Sequence, residues 1–576
     1  MGVLGLQWID WLVIAGYLVG ITILGTWAIR RVKSSTSFFI SDRKFGKLMM
    51  MFFNFGTGTH SDQAVSVAAK TYRTGASGMW YQLLWIFSTP LYWLIAPMFR
   101  RMRAVTTSDF FEARFDKSTA VLYAFVAILN LTVNIGVMLK GSTAMVTAVS
   151  GGAINPVYAT LAMTAMFLIY GIAGGLSAAI VTDFVQGILT IVLSFLILPF
   201  ALWQVGGMAG MRETIHDSNM FSLISPEIGL LYIIIISLNG LVGYGTQPHT
   251  MGLCAAGKTE MESRVGMTCG MFIKRFCTVA WVMTGLCAVA YYLNNNVEVR
   301  DVDHVYGLMA RDLLPFIFPG LVGLFIASML AAVMSSCDAF MVAGSALFTE
   351  NVLRKTVVPN SKDRYYMLVG RLAAVTIVAG GILFAFSLES VVDGLEIFWK
   401  ISAMMGLAFW AGLFWRRTTA AGAWAGTLLG FAAFLFTSRV KVLDHVLWDF
   451  NASYARLLPD FMLWNGKLYL PWQMIFYLSV GLLVIVVVSL LTPRPSKQRL
   501  ERFYACLRTP VEPGEPETEP FVLPPGVKPA PRNVCCDFLE LEIPKISKVG
   551  LAGLLAASAA VVVFIAGVYW IFSLGG

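Results

Sequence analysis

The stretch Leu321 to Leu347, LVGLFIASMLAAVMSSCDAFMVAGSAL, combines membrane length with oxygen chemistry. Roughly 20 apolar residues cross a bilayer as a helix. Ala332, Ser335 and Ser336 stand at i, i+3 and i+4, so they share one helical face. Two hydroxyls beside a small residue offer oxygen to a cation and let a neighbouring backbone approach. Asp338 follows, and a carboxylate at membrane depth is costly enough to mark a working site. The competing readings are small-residue packing between helices for Ser335 and Ser336, and a buried Lys or Arg partner for Asp338. Two other apolar runs carry polar interruptions. In Leu48–Thr71 the middle reads NFGTGTHSDQ, with Gly56, Gly58, His60, Asp62 and Gln63. In Ile228–Met251 it reads LNGLVGYGTQPH, with Gly240, Gly243, Gly245, Gln247, Pro248 and His249. Irregular backbone at membrane depth is tolerated where it lines a cavity or is buried in protein.

These residues sit in a chain of 576 residues, 57% hydrophobic and 13% charged. Soluble domains carry about 25% charged residues, so this is a polytopic membrane protein. The net charge of +9 is concentrated in short loops, as the positive-inside rule produces. Phosphate-binding motifs are absent and no loop could house a nucleic-acid-binding domain, so no nucleic-acid partner is expected. The eight cysteines match neither a metal nor a disulfide framework. The sequence lacks HExxH, catalytic carboxylates paired at helical spacing, and a Ser–His–Asp set in context, which argues against an enzyme.

About fourteen spanning runs can be counted, beginning with Trp8–Ile29. The basic loop after it, RRVKSSTSFFISDRKFGK, reads as cytoplasmic, placing the N-terminus outside. The third run, Met79–Met98, holds Gln82. Lys140, in the fourth, reads as snorkelling or paired. Val157–Ile172 is the fifth run. The sixth opens in GIAGGLSAAIVTDFVQG and carries Asp183. Lys274 and Arg275 fall near the cytoplasmic start of the eighth, Gly266–Leu293. The two interrupted runs are five segments apart. Interrupted segments at corresponding places in two five-helix units point to an inverted-repeat transporter. The expected fold is all-α, with a 5+5 leucine-transporter-type core. The expected divisions are 1–44, a peripheral helix and cytoplasmic loop; 45–417, the transport core; 418–491, additional spans; 492–548, a flexible Pro-rich cytoplasmic linker; and 549–576, a last span returning the C-terminus outside.

Four stretches carry a resemblance to a known family. They are SFFISDRKFG from Ser37; TTSDFFEARFD from Thr106, similar to T-x-P-E-F-x-x-x-R-F with Ser108 for Pro and Asp109 for Glu; GGLSAAIVTDFVQG from Gly174; and AAVMSSCDAF from Ala331. In this order, from Trp8 to Leu490, the chain resembles the sodium:solute symporter family. The resemblance implies a sodium site made by the hydroxyls of Ser335 and Ser336 with the carbonyls of Ala332, Gly56 and Thr59. It implies that Asp183 lies near the ion's exit path or a second cation site, which Asp338 could complete. It also implies solute contacts at Gln63, Gln82, Tyr244 and Lys274 between the two breaks. Gln82 stands where the sugar carriers hold Glu, and Leu395 where they hold a sugar-contacting Gln. His60, His249 and Gln247, inside the breaks, add hydrogen-bonding capacity.

The resulting expectation is a multi-pass cell-membrane protein. Na+ running down its gradient would draw in a small polar solute: a sugar, a polyol, or a carboxylate or amino-acid-like molecule. A proton-coupled variant and a membrane solute sensor of the same fold stay open beside it.

Overall fold

The computed structural model describes residues 3–29, 45–104, 106–442, 445–516, 518–536 and 540–574, with side chains at 25–29, 169–181, 441, 442, 445, 535 and 536 set aside. With no water in the bilayer core, apolar segments satisfy their backbone polar groups internally, so they become helices. The order is α1 (Trp8–Ile29), α2 (Lys47–Gly58), α3 (Ser61–Thr74), α4 (Thr89–Arg101), α5 (Lys117–Val149), α6 (Pro156–Phe195), α7 (Leu230–Tyr244) and α8 (Pro248–Ala256). Then come α9 (Glu260–Asn294), α10 (Leu321–Ala346), α11 (Asp363–Ser387), α12 (Val391–Phe414), α13 (Ala420–Phe436), α14 (Leu470–Leu491), α15 (Lys497–Arg508) and α16 (Lys548–Ser573).

Among the described residues, nine helical stretches are long and apolar enough to cross a membrane, and the bent pair α7–α8 makes a tenth. The apolar pieces Trp8–Leu24 of α1, Pro156–Leu168 of α6 and the helix α13 stand beside them. The count therefore stays below the expected fourteen. Ser61–Arg101 forms one near-continuous helical stretch where the ends of two expected runs fall.

Burial ranks the helices. The most apolar window of the stretch from Leu321 is 89% buried inside protein, against 22% for α11 and for α16. The segment that carries Ser335, Ser336 and Asp338 is thus the axis of the bundle. It packs mainly on α6, with α1, α5 and α11 around it, while α9 cradles α2, α3 and α4. Although α1 was expected to be peripheral, it is fastened to the core. Gly323 N donates to Asp10 Oδ1 at 2.8 Å, and a Cβ on Gly323 would meet the Asp10 carbonyl oxygen at 2.5 Å.

Both interrupted runs are broken helices. Between α2 and α3, Thr59 (φ −127°, ψ 112°) and His60 (φ −121°, ψ 162°) are extended. The α7–α8 pair bends by 61°. Pro248 opens α8, where a missing N–H costs nothing. Glycine is required here by close approach: a Cβ on Gly243 would lie 2.9 Å from Ser402 Cβ, and one on Gly406 would lie 2.1 Å from the Val242 carbonyl oxygen. This lets α12 lie directly against the break.

The segment 492–548, expected to be a flexible linker, is folded onto the end of the bundle. Leu500, Phe503, Tyr504 and Cys506 of α15 are buried, and Phe521 stacks on Phe503 with ring centroids 4.9 Å apart. Phe521 N donates to the Met102 carbonyl at 2.9 Å. Arg103 Nε lies 2.5 Å from Glu515 Oε1. Glu542 accepts from Arg416 at 2.8 Å, Arg532 at 3.1 Å and Arg508 at 3.5 Å. Its Pro- and Glu-rich composition suggests disorder in isolation. Here the carboxylates instead neutralise arginines at the helix ends, and the prolines keep the chain extended across them. Removing one partner of a buried pair costs about 3–5 kcal/mol because the other charges stay buried. Glu542→Ala is therefore expected to free this strap. Limited trypsin digestion should cut between residues 509 and 548 in the variant well before it cuts the wild type.

Candidate functional site

The first polar cluster lies where α10 crosses the break after α2. Ser336 Oγ donates to the Gly56 carbonyl at 3.3 Å, and Ser335 Oγ donates to Asp183 Oδ1 on α6 at 2.5 Å. A Cβ on Gly56 would lie 3.2 Å from the Asp183 carbonyl oxygen and 3.7 Å from Ser335 Oγ. Gly56, Asp183, Ser335 and Ser336 therefore meet at one point. Thr59 and Ala332 are buried beside them, Thr59 in the break and Ala332 one turn before Ser336. Glycine at position 56 is what lets α2 reach both carbonyl and carboxylate.

Asp338 sits one turn along from Ser335, buried, and neither of its oxygens has a hydrogen-bond partner. Among the described residues no Lys or Arg pairs with it, so the buried-ion-pair reading of Asp338 finds no support. Asp183 is its charged neighbour. Asp183 Oδ2 and Gln186 Oε1 are likewise buried and unpartnered, and Gln186 Nε2 donates to Tyr17 of α1 at 3.2 Å. Gln186 and Tyr17 escape a reading of the sequence. Gln186 lies in the quoted motif but reads as a helix-face polar residue, and Tyr17 lies in an unremarkable apolar helix.

The second cluster is a cavity of about 40 Å³ between the two breaks, and all seven side chains expected to contact solute line it. Lys274 Nζ donates to the Gly58 carbonyl at 2.6 Å. Gln63 Nε2 lies 3.1 Å from His60 Nδ1, and that ring nitrogen lies 3.3 Å from Asp62 Oδ1. Phe340 of α10 packs between the two imidazoles, edge-on to His60 at 5.7 Å and stacked on His249 at 5.3 Å. Gln82 offers its carbonyl to Arg275 Nη1 at 2.7 Å. Lys274 and Arg275 therefore sit at mid-depth in α9, both buried, rather than near its start. Lys140 donates to the Leu388 carbonyl at 2.9 Å, away from both clusters.

The aromatic wall of the cavity, including Trp85, Tyr92, Phe398 and Trp399, was not legible as such. Aromatic residues abound in every span, and only the packing selects these. Gln63 Oε1, Gln82 Oε1 and Trp399 Nε1 are buried without partners among the described residues.

Among the described residues no three His, Cys, Asp or Glu side chains gather as a transition-metal cage. The donors present are hydroxyl, carbonyl and carboxylate oxygens, which suit a hard cation. A model of the sodium:solute symporter family matches residues 38–430. The chain belongs to that family. It is a transporter, not an enzyme. One relative, the osmoregulated proline transporter OpuE of Bacillus subtilis (strain 168), is 25% identical over 84% of this chain and 96% of its own length. The sodium/glucose cotransporter of Vibrio parahaemolyticus is 24% identical over 75% of this chain and 86% of its own. The mouse sodium/myo-inositol cotransporter 2 is 24% identical over 86% and 78%. A solved structure described as the substrate-bound outward-open state of a Na+-coupled sialic acid symporter superposes with a TM-score of 0.71 at 18% identity, over 85% of this chain and 99% of that one. This symporter therefore shares that fold.

Of the four stretches that carried the resemblance, the one from Ser37 lies outside the described residues up to position 44. The side chains of the Gly174 stretch are described only from Thr182 onward.

Proposed function

We propose that this symporter binds sodium where Ser335 and Ser336 face the Gly56 and Thr59 carbonyls, and carries a small polar organic solute in the cavity between the two breaks. The observation that carries this reading is the meeting of Ser336 Oγ with the Gly56 carbonyl. A backbone oxygen freed by an interrupted helix and a hydroxyl on a continuous one are what a dehydrated Na+ needs for ligands. Ion binding then holds α2 against α10, and α3, which continues from α2, brings His60 and Gln63 to the cavity. Sodium bound at one end of the break thereby organises the solute site at the other. Asp183 and Asp338 fit a second cation, either sodium or a proton. The spacing of the breaks supports a 5+5 inverted repeat within about fourteen spans.

Orientation follows from charge. Arg101, Arg103, Arg114, Arg416 and Arg508 gather at the strap-covered end of the bundle, which supports that end as cytoplasmic. Gly5 and Leu574 pack at the opposite end, near Ser150 and Arg212 respectively, which supports both as outside. Uptake into liposomes containing only this protein, with sodium replaced by choline at fixed pH, tests the proposal. Accumulation is expected to vanish in choline. Accumulation that persists in choline and follows a pH gradient would move the assignment to protons. Binding without accumulation would move it to a solute sensor.

A further inference from the structure

Taking the symport reading as given, we infer that the transported solute is a small organic carboxylate with an apolar or ring-shaped body. The lining of the cavity between the breaks contains no Asp or Glu side chain. It does contain Lys274, whose ammonium has, among the described residues, a single hydrogen-bond partner, the Gly58 carbonyl. Arg275 stands behind it on the same helix, fully buried and bonded to the Gln82 carbonyl. Asp62, two residues after His60, lies against α5 and not in the cavity lining: a Cβ on Gly141 would meet Asp62 Cα at 2.6 Å. Lys274 and Arg275 are thus two buried cations beside a lining that holds no carboxylate, while sodium is met at its own site by Asp183. Burying uncompensated charge is costly, and an anionic solute supplies the missing negative charge.

The backbone points the same way. His60 and Gln247 are the N-cap residues of α3 and α8, both line the cavity, and neither helix has a side-chain cap hydrogen bond. Two helix N-termini, each carrying partial positive charge and free N–H groups, converge on one small volume. The Trp399 indole N–H, which can only donate, is buried there without an acceptor. An oxyanion satisfies Lys274, Trp399 and the helix ends together. Trp85, Met271, Phe340, Leu395 and Phe398 add apolar surface to the same wall, which suits a hydrocarbon or aromatic body.

Matched acid and amide pairs test the inference in the purified full chain: lactate with lactamide, butyrate with butyramide, benzoate with benzamide, and proline with prolinamide, beside glucose. The readout is the thermal unfolding transition in sodium and in choline. In sodium, an acid is expected to raise the transition, and its amide to need at least tenfold more for the same shift. Lys274→Met should erase that difference, and Lys274→Arg should keep most of it. Equal effects of acid and amide, a shift by glucose but by no acid, or no shift by any acid, each overturn the inference. Should Lys274→Met not fold, the acid-to-amide ratio of the unmodified protein decides. The symport reading fails separately, if sodium alone shifts the transition of neither wild type nor Ser336→Ala.

Discussion

Ser336→Ala raises the sodium concentration for half-maximal uptake about tenfold or more, with little change in the amount of folded protein. The hydroxyl is small and fully buried, and it donates to a carbonyl that belongs to a broken helix. Alanine keeps the packing volume of the small residue but removes one oxygen from the ion's shell. An interaction with a charged group contributes about 1.5–3 kcal/mol, and each 1.4 kcal/mol is tenfold in affinity. The loss should fall on sodium first. At saturating sodium, solute uptake recovers most of its rate, because the ion still holds α2 through the remaining oxygens. Sodium-activation curves in proteoliposomes measure this directly. An unchanged half-saturation would remove Ser336 from the ion's shell and with it the arrangement proposed for the break.

Asp338→Asn tests the second cation, and its effect should appear in the coupling ratio. Both carboxylate oxygens of Asp338 are buried and unpartnered, so the side chain is poised for a cation that the described protein groups do not supply. Asparagine is nearly isosteric and carries no charge. If Asp338 holds a second monovalent ion, the variant moves one charge fewer per solute. Each charge contributes about 2.3 kcal/mol per 100 mV of membrane potential, so the accumulation ratio falls about 40-fold at 100 mV. The expected result is a lower charge-to-solute ratio by electrophysiology on solid-supported membranes, alongside retained exchange of solute across the membrane. Proton coupling at the same carboxylate would instead appear as pH-dependent accumulation in the wild type that the variant lacks. An unchanged ratio and pH profile would leave Asp338 as a structural carboxylate.

Much of this arrangement was legible because it obeys strict local rules. Gly56, Gly58, Gly243 and Pro248 interrupt apolar runs, and few structures tolerate that at membrane depth. Ser335 and Ser336 share a face with Ala332 by helical period alone. What the sequence left hidden depends on long-range packing. Phe340 lies one turn beyond Ser336 and its spacing does not single it out, yet it packs against both His60 and His249. Gln186 gains meaning only when α1 brings Tyr17 to it. The strap was misread for an electrostatic reason. Its glutamates look like the mark of a solvated tail until Arg103, Arg416, Arg508 and Arg532 are placed opposite them. Charge composition by itself does not distinguish a segment that repels from one that is paired.

The opposed placement of the strap and of residues 5 and 574 has a practical meaning. An epitope inserted beside either of those residues should stain in intact cells under one and the same condition, both visible or both hidden. A protease site engineered into the strap should be cleaved only under the other. Sealed vesicles of a single orientation would therefore sort the three labels two against one.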